Sequence, residues 1–255
     1  MKELAFILAV AFFSSCTEDN KQSAQVHSVS PAADKSDTPA PADSVKSAGD
    51  KPVPELEKQL RAAGLVDVRE LDSSIRVELR YSTQNNFTGA DMYGDFDKCF
   101  LQPDVARKLV KAQQELHRKF PYYSLIVYDA VRPLHIQQMM WDTLKLPPGE
   151  KQKYLSNPGN GSLHNYGAAV DLSIIDDNGI PLDMGTPFDF FGELAHPEKE
   201  KELLSSGALT RNQVMNREIL RSVMYSAGFF GIQTEWWHFN SCRREEAAQK
   251  YAIVP

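Results

Sequence analysis

The sequence predicts an α+β fold: a mostly antiparallel central sheet flanked by helices. Short runs rich in Val, Ile and Leu are bounded by polar turns, as paired strands are. Two longer stretches repeat apolar residues at helical spacing. Helices and hairpins then follow one another without the regular strand-helix alternation that a parallel sheet requires.

The elements can be justified in order. Leu65 to Glu70 and Ile75 to Tyr81 partly alternate apolar and polar residues around Asp72-Ser73-Ser74, which predicts two strands and a turn. Asn85 to Gly94 is polar and glycine-bearing, hence a loop. Pro103 suits the first turn of a helix that places Val105, Leu109, Ala112, Leu116 and Phe120 on one face. Leu125 to Val127 reads as a buried strand leading to Asp129-Ala130-Val131-Arg132-Pro133. His135 to Lys145 reads as a helix ended by Pro147-Pro148. Ala168 to Ile175 is a strand, Asp176 to Gly179 a turn, and Ile180 to Met184 its expected returning partner. A last long helix, about Asn212 to Ala227, stops at Gly228, and Ile232 to Asn240 is expected as a strand.

The first sixteen residues have the pattern of a targeting segment. Lys2 precedes an apolar run from Leu4 to Phe13, and Ser14-Ser15 stand before Cys16. Such a run is shorter than the roughly 20 apolar residues of a membrane-spanning helix. The small-small-Cys ending resembles a bacterial lipoprotein signal, which implies a lipid on Cys16, the only expected membrane contact, and a place in the cell envelope. Residues 17–54 contain no Leu, Ile, Met, Phe, Tyr or Trp. A stretch of that kind cannot offset its ordering entropy by burial and is expected as a disordered tether. Residues 55–255 then form one domain with a single core.

A net charge of −6 and no basic stripe exclude nucleic acid as a partner. Cys99 and Cys242 remain besides Cys16, either as two buried thiols or as one bridge.

One constellation carries chemistry. Residues 162 to 171 read SLHNYGAAVD and residues 235 to 238 read EWWH. His164, Asp171 and His238 offer two imidazoles and a carboxylate, a ligand set that leaves a zinc ion one open position, and Glu235 is placed as base for a water there. This site is expected in a cleft on the sheet. Asp171, on an apolar strand, is a metal ligand or the partner of an arginine, since an unpaired buried carboxylate is costly. Glu235 and His238 share a cavity only if the backbone bends between them or one lies beyond the strand end. His27, His117 and His196 read as surface residues, and His135 as a helix start or a support for the site. Arg132 is either an ion-pair partner of Asp129 or a guanidinium aimed at developing negative charge.

The pattern Ser162-x-His164-x-x-Gly167-x-Ala169-x-Asp171 with Glu235-Trp236-Trp237-His238 resembles the zinc D,D-peptidases. Asn86 to Gly89, Asp129 to Pro133 and Leu182 to Asp189 narrow the resemblance to the D-alanyl-D-alanine dipeptidases of the vancomycin-resistance type. The resemblance spans about residues 65 to 240. It implies His164, Asp171 and His238 as ligands of one zinc ion, Glu235 as general base and acid, and Arg132 as transition-state stabiliser. It further suggests that Asp189 holds the amino group of a small dipeptide, and that Ser162 touches substrate or supports the His164 loop. Those relatives act in the cytoplasm, whereas this chain is expected outside it, on dipeptides from wall turnover or the surroundings. The alternatives are a D,D- or L,D-carboxypeptidase trimming wall peptides, and an inactive zinc-bound module that binds wall fragments.

Overall fold

The computed structural model describes residues 54–152 and 155–255. The expected signal with Cys16 lies outside them, as does the expected tether apart from Pro54. The described chain opens with helix α1 (Glu55–Ala62), which buries Leu60 and pairs the buried Glu57 with Lys98 at 2.7 Å. Strand β1 (Val66–Asp67) follows, but the strand expected to reach Glu70 ends here. The Asp67 carboxylate accepts from the Arg69 N–H at 3.1 Å and so caps a single helical turn, α2 (Val68–Leu71).

Strand β2 (Arg76–Val77) is also shorter than expected, while β3 (Phe100–Leu101) pairs with β1 as a separate ribbon. Helix α3 (Pro103–Lys119) begins on its proline and buries Val105, Leu109, Ala112 and Leu116, as its periodicity requires. Then come β4 (Ser124–Asp129), α4 (Leu134–Thr143), α5 (Pro148–Lys151) and β5 (Ala169–Ile175).

After β5 the expected hairpin is incomplete. Only Ile175 and Pro181 form a bridge, closed by the Leu182 N–H on the Ile174 carbonyl and the Asp176 N–H on the Ile180 carbonyl, both at 2.9 Å. Residues 182 to 199 form an irregular loop with short 3-10 turns, and helix α6 (Glu200–Ser206) follows. Thr210 and Gln213 cap α7 (Arg211–Ser226) reciprocally, and Gly228 takes the left-handed conformation beyond its end. Strands β6 (Phe230–Gly231) and β7 (His238–Asn240) replace the longer strand expected from Ile232, and α8 (Arg244–Lys250) follows.

The main sheet runs β2-β4-β5-β7-β6 and is antiparallel except for the β2–β4 pair. Helices α3 and α7 cover one face, where Leu125, Val127, Val170, Leu172, Ile174 and Phe239 join Leu109, Leu220 and Met224 in the core. Strand residues alternate between faces. The same strands therefore present Tyr128, Asp171, His238 and Asn240 on the other face, which holds the site.

The end of the chain also serves this face. The Val254 N–H donates to the Asn165 carbonyl at 2.8 Å, and the Val254 carbonyl accepts from the Leu134 N–H at 2.9 Å. Its side chain is buried, so these residues strap the 162–166 turn to the start of α4. Cys99 and Cys242 are both buried and free. No helix of the described residues is long and apolar enough to cross a membrane.

Candidate metal centre and active site

Sheet register assembles the site. Asp171 on β5 lies directly opposite His238 on β7, so the two side chains emerge side by side. A β-bulge in β4 shifts pairing between Val127 and Asp129, which brings Asp129 opposite Asp171. His164 arrives from a 3-10 turn (Leu163–Tyr166) ended by Gly167 at φ 64°. A Cβ at Gly167 would stand 3.0 Å from Leu65 and 3.4 Å from the Gln102 nitrogen, so glycine is needed both for the left-handed turn and for the close approach.

His164, Asp171 and His238 converge with their donor atoms close enough to hold a metal ion. Asp171 Oδ1 lies 2.9 Å from His238 Nδ1 and 3.4 Å from His164 Nε2, and the two nitrogens are 3.3 Å apart. Donors about 2.0–2.2 Å from a tetrahedral zinc ion stand roughly 3.3–3.6 Å from one another, so this donor set fits such an ion with little movement.

The remaining ring nitrogens are fixed by partners that only accept. His164 Nδ1 donates to the Ala130 carbonyl at 2.7 Å, and His238 Nε2 donates to Asn240 Oδ1 at 2.9 Å. His164 Nε2 and His238 Nδ1 are therefore the nitrogens left facing Asp171 and available to a metal, the arrangement metal-ligating histidines adopt. Burial raises the Asp171 pKa, but His164 and His238 more than offset it and hold the carboxyl well below its usual range. Burial lowers the His238 pKa and the Asp171 hydrogen bond raises it, to about 9 in the metal-free protein. Proton and cation thus compete for one lone pair. Replacing Asn240 with Ala should free the His238 ring and weaken metal affinity roughly 10- to 100-fold. Competition with a chromophoric chelator measures it, and unchanged affinity would leave Asn240 without that orienting function.

Glu235 lies in the bend before β7, with Oε2 3.9 Å from His238 Nδ1. The bend resolves the problem of spacing, since the pair does not share a regular strand. Burial raises the Glu235 pKa, and His238 offsets this in part.

Arg132 is buried and held from several sides. Its Nε donates to Asp129 Oδ2 at 2.8 Å, Nη2 donates to the same oxygen, and Nη1 donates to Gln137 at 3.0 Å. Nη2 also stands 3.6 Å from Asp171 Oδ2. Asp129 accepts in turn from the Tyr93 hydroxyl at 2.8 Å. Arg132 thus pairs with Asp129, as one sequence alternative expected, and it also lines the cavity.

Asp189 adopts a left-handed backbone, φ 60°, uncommon for a residue with a side chain. Its carboxylate accepts from Tyr81 at 2.8 Å, and burial raises its pKa well above the usual range. The loop that carries it is fixed at both ends by the buried Arg217, which donates to Met184 O at 2.7 Å and to Leu194 O at 2.9 Å. Ser162 supports the His164 turn: its Oγ accepts from the His164 N–H at 3.3 Å, and its own N–H donates to Asn165 Oδ1 at 2.5 Å. Ser162 also lines the cavity.

All seven of these residues line one cavity of about 320 Å³, near the lower end of the range for small-molecule sites, about 300–1,000 Å³. Phe87 and Phe191, in edge contact at 5.1 Å, form part of its wall. His135 is not part of it; that ring is exposed and bonded to the Pro255 carbonyl. Sequence reasoning missed Asn240, which the two-residue strand period after His238 could have revealed. It also missed Tyr81 and the Ala130 carbonyl, for which there was no local signal.

A His-Asp-His donor set with two of its members buried, beside a carboxylate and a fixed guanidinium on the open face of an α+β sheet, defines a metallohydrolase. Residues 61–254 match peptidase family M15, D-ala-D-ala dipeptidase. The chain belongs to that family and is a metallopeptidase. It is 32% identical over 175 residues to a D-alanyl-D-alanine dipeptidase of Escherichia coli (strain K12), covering 69% of this chain and 83% of that one. A D-alanyl-D-alanine dipeptidase of Enterococcus faecium is 27% identical over 191 residues, covering 69% and 90%. One of Synechocystis sp. is 29% identical over 180 residues, covering 60% and 72%. The vancomycin-resistance D,D-pentapeptidase VanY, solved in complex with Zn(II), superposes at a TM-score of 0.35 and 17% identity, covering 59% of this chain and 78% of that one. That overlap is too loose to support an argument.

Proposed function

We propose that the protein is a zinc-dependent dipeptidase that hydrolyses D-alanyl-D-alanine or similarly small D,D-dipeptides. The observation that carries this reading is the convergence of the His164, Asp171 and His238 donors beside Glu235 in a small cavity. Family membership supports it, as do the names of the relatives.

His164, Asp171 and His238 would hold the zinc ion, which when bound supplies Lewis-acid polarisation and a more acidic water. Glu235 takes the proton of the attacking water and delivers it to the departing amine, and its raised pKa suits both transfers. Arg132 stays charged, and three of its five N–H donors are engaged by Asp129 and Gln137. The others can meet the negative charge that develops on the carbonyl oxygen. Asp189, half-buried with the Tyr81 hydroxyl as its partner, offers a site for the substrate ammonium group.

The proposed setting is the cell envelope, with residues 1–16 as a lipoprotein-type signal, Cys16 as lipid anchor, 17–54 as tether and 55–255 as the catalytic domain. The pattern of Lys2, Leu4 to Phe13 and Ser14-Ser15-Cys16 supports it.

The test is a panel of the four Ala-Ala stereoisomers, with and without chelator, alongside a pentapeptide ending in D-Ala-D-Ala. Chelator-sensitive cleavage of the free D,D-dipeptide is expected. Cleavage of the pentapeptide alone would favour a trimming carboxypeptidase.

A further inference from the structure

A free dipeptide presents two charges, and the groups assigned so far answer only one of them. Asp189 meets the ammonium end, but nothing yet meets the carboxylate. The cavity lining contains the acidic side chains of Asp171, Asp189 and Glu235, none of which offers a cationic partner for a substrate carboxylate. Among the described residues the lining holds two guanidinium groups, Arg132 and Arg244. Arg132 is already matched to Asp129 and lies beside Asp171.

Arg244 is in a different state. It opens α8 and makes no ion pair with a carboxylate of the described residues. Its Nη1 donates to the Asn160 carbonyl at 2.6 Å and its Nη2 to the Gly161 carbonyl at 2.8 Å. These two bonds anchor the guanidinium beside Ser162 while leaving its Nε–H and one N–H on each terminal nitrogen. A positioned guanidinium with spare donors and no counter-charge is suited to a carboxylate.

The sheet order places it at the proper end. Asp189 is tied to Tyr81, just beyond β2 at one edge of the sheet. Arg244 follows β7, toward the other edge, and the His164-Asp171-His238 group lies between on β5, β7 and the adjoining turn.

We propose that Arg244 binds the C-terminal carboxylate of the substrate, so that Asp189 and Arg244 together read the two charged ends of a zwitterionic dipeptide. This rests on the dipeptidase reading and specifies how that site selects substrate length. A longer peptide with its C-terminus on Arg244 has no ammonium group at the distance of Asp189. A peptide extended beyond the scissile pair at its C-terminal side has no carboxylate for Arg244.

The experiment compares D-Ala-D-Ala with its C-terminal amide in the wild type, Arg244→Ala and Arg244→Lys, with metal content and thermal midpoint measured for each. In the wild type the acid should have a KM roughly tenfold or more below that of the amide. Arg244→Ala should raise KM for the acid by the same factor and leave KM for the amide unchanged, with kcat for the acid nearly constant. Arg244→Lys should recover part of the preference. Equal losses on acid and amide would make Arg244 a structural anchor of the 157–161 turn and overturn the proposal. So would a wild type that hydrolyses both equally well. If the wild type cleaves neither, the dipeptidase reading itself fails. Calorimetric titration with the acid and the amide then still reads the preference of Arg244 directly, and equal affinities would reject it.

Discussion

Glu235→Gln should lower kcat by roughly 100- to 10,000-fold, the usual worth of a positioned general acid-base, while the protein keeps its metal. The amide has nearly the same volume and leaves the three ligand donors untouched. Glu235 itself is not among those donors; its Oε2 lies 3.9 Å from His238 Nδ1. What is lost is the lone pair that accepts the proton of water. Mass-spectrometric metal content measured alongside turnover separates the two effects. A metal-loaded variant with wild-type turnover would remove Glu235 from the chemistry, and a metal-free one would make it a ligand.

Arg132→Met should affect both folding and rate. The guanidinium is buried and neutralises Asp129, whose side chain is fully enclosed. Removing one partner of such a pair leaves an uncompensated charge and costs about 3–5 kcal/mol of stability. Loss of an electrostatic donor to the transition state lowers kcat by roughly 100- to 1,000-fold. A second substitution separates the two roles. Asp129→Asn added to Arg132→Met should restore much of the stability in denaturant melts, because no charge is then stranded, and should restore none of the activity. Recovery of both together would mean that Arg132 acts only by holding the fold.

The chemistry of the site was more legible in the sequence than its framework. Two imidazoles, a carboxylate and a nearby glutamate identify themselves by residue type, and the structure brings them together. The helix from Pro103 and the strand ending at Ile175 were legible because each has a single clear period and is buried as that period demands. The short elements were not. Asp67 turns a strand into a helical turn through one side-chain hydrogen bond, and the expected return strand is reduced to one bridge at Pro181 before the chain becomes irregular. Residues 232–237 bend, although their Trp-rich composition reads as strand; the bend is what lets Glu235 approach His238. Helices α1, α6 and α8 are only about two turns long, too short for a periodicity to announce them. The partners that fix the site come from distant segments: Tyr81 for Asp189, Ala130 for His164 and Arg217 for the loop between Met184 and Leu194. Local sequence contains no trace of such long-range bonds.

Val254 joins the turn bearing His164 to the segment just after Arg132. A substitution that loosens this strap would therefore shift His164 and Arg132 together, from a residue that is not itself in the cavity wall.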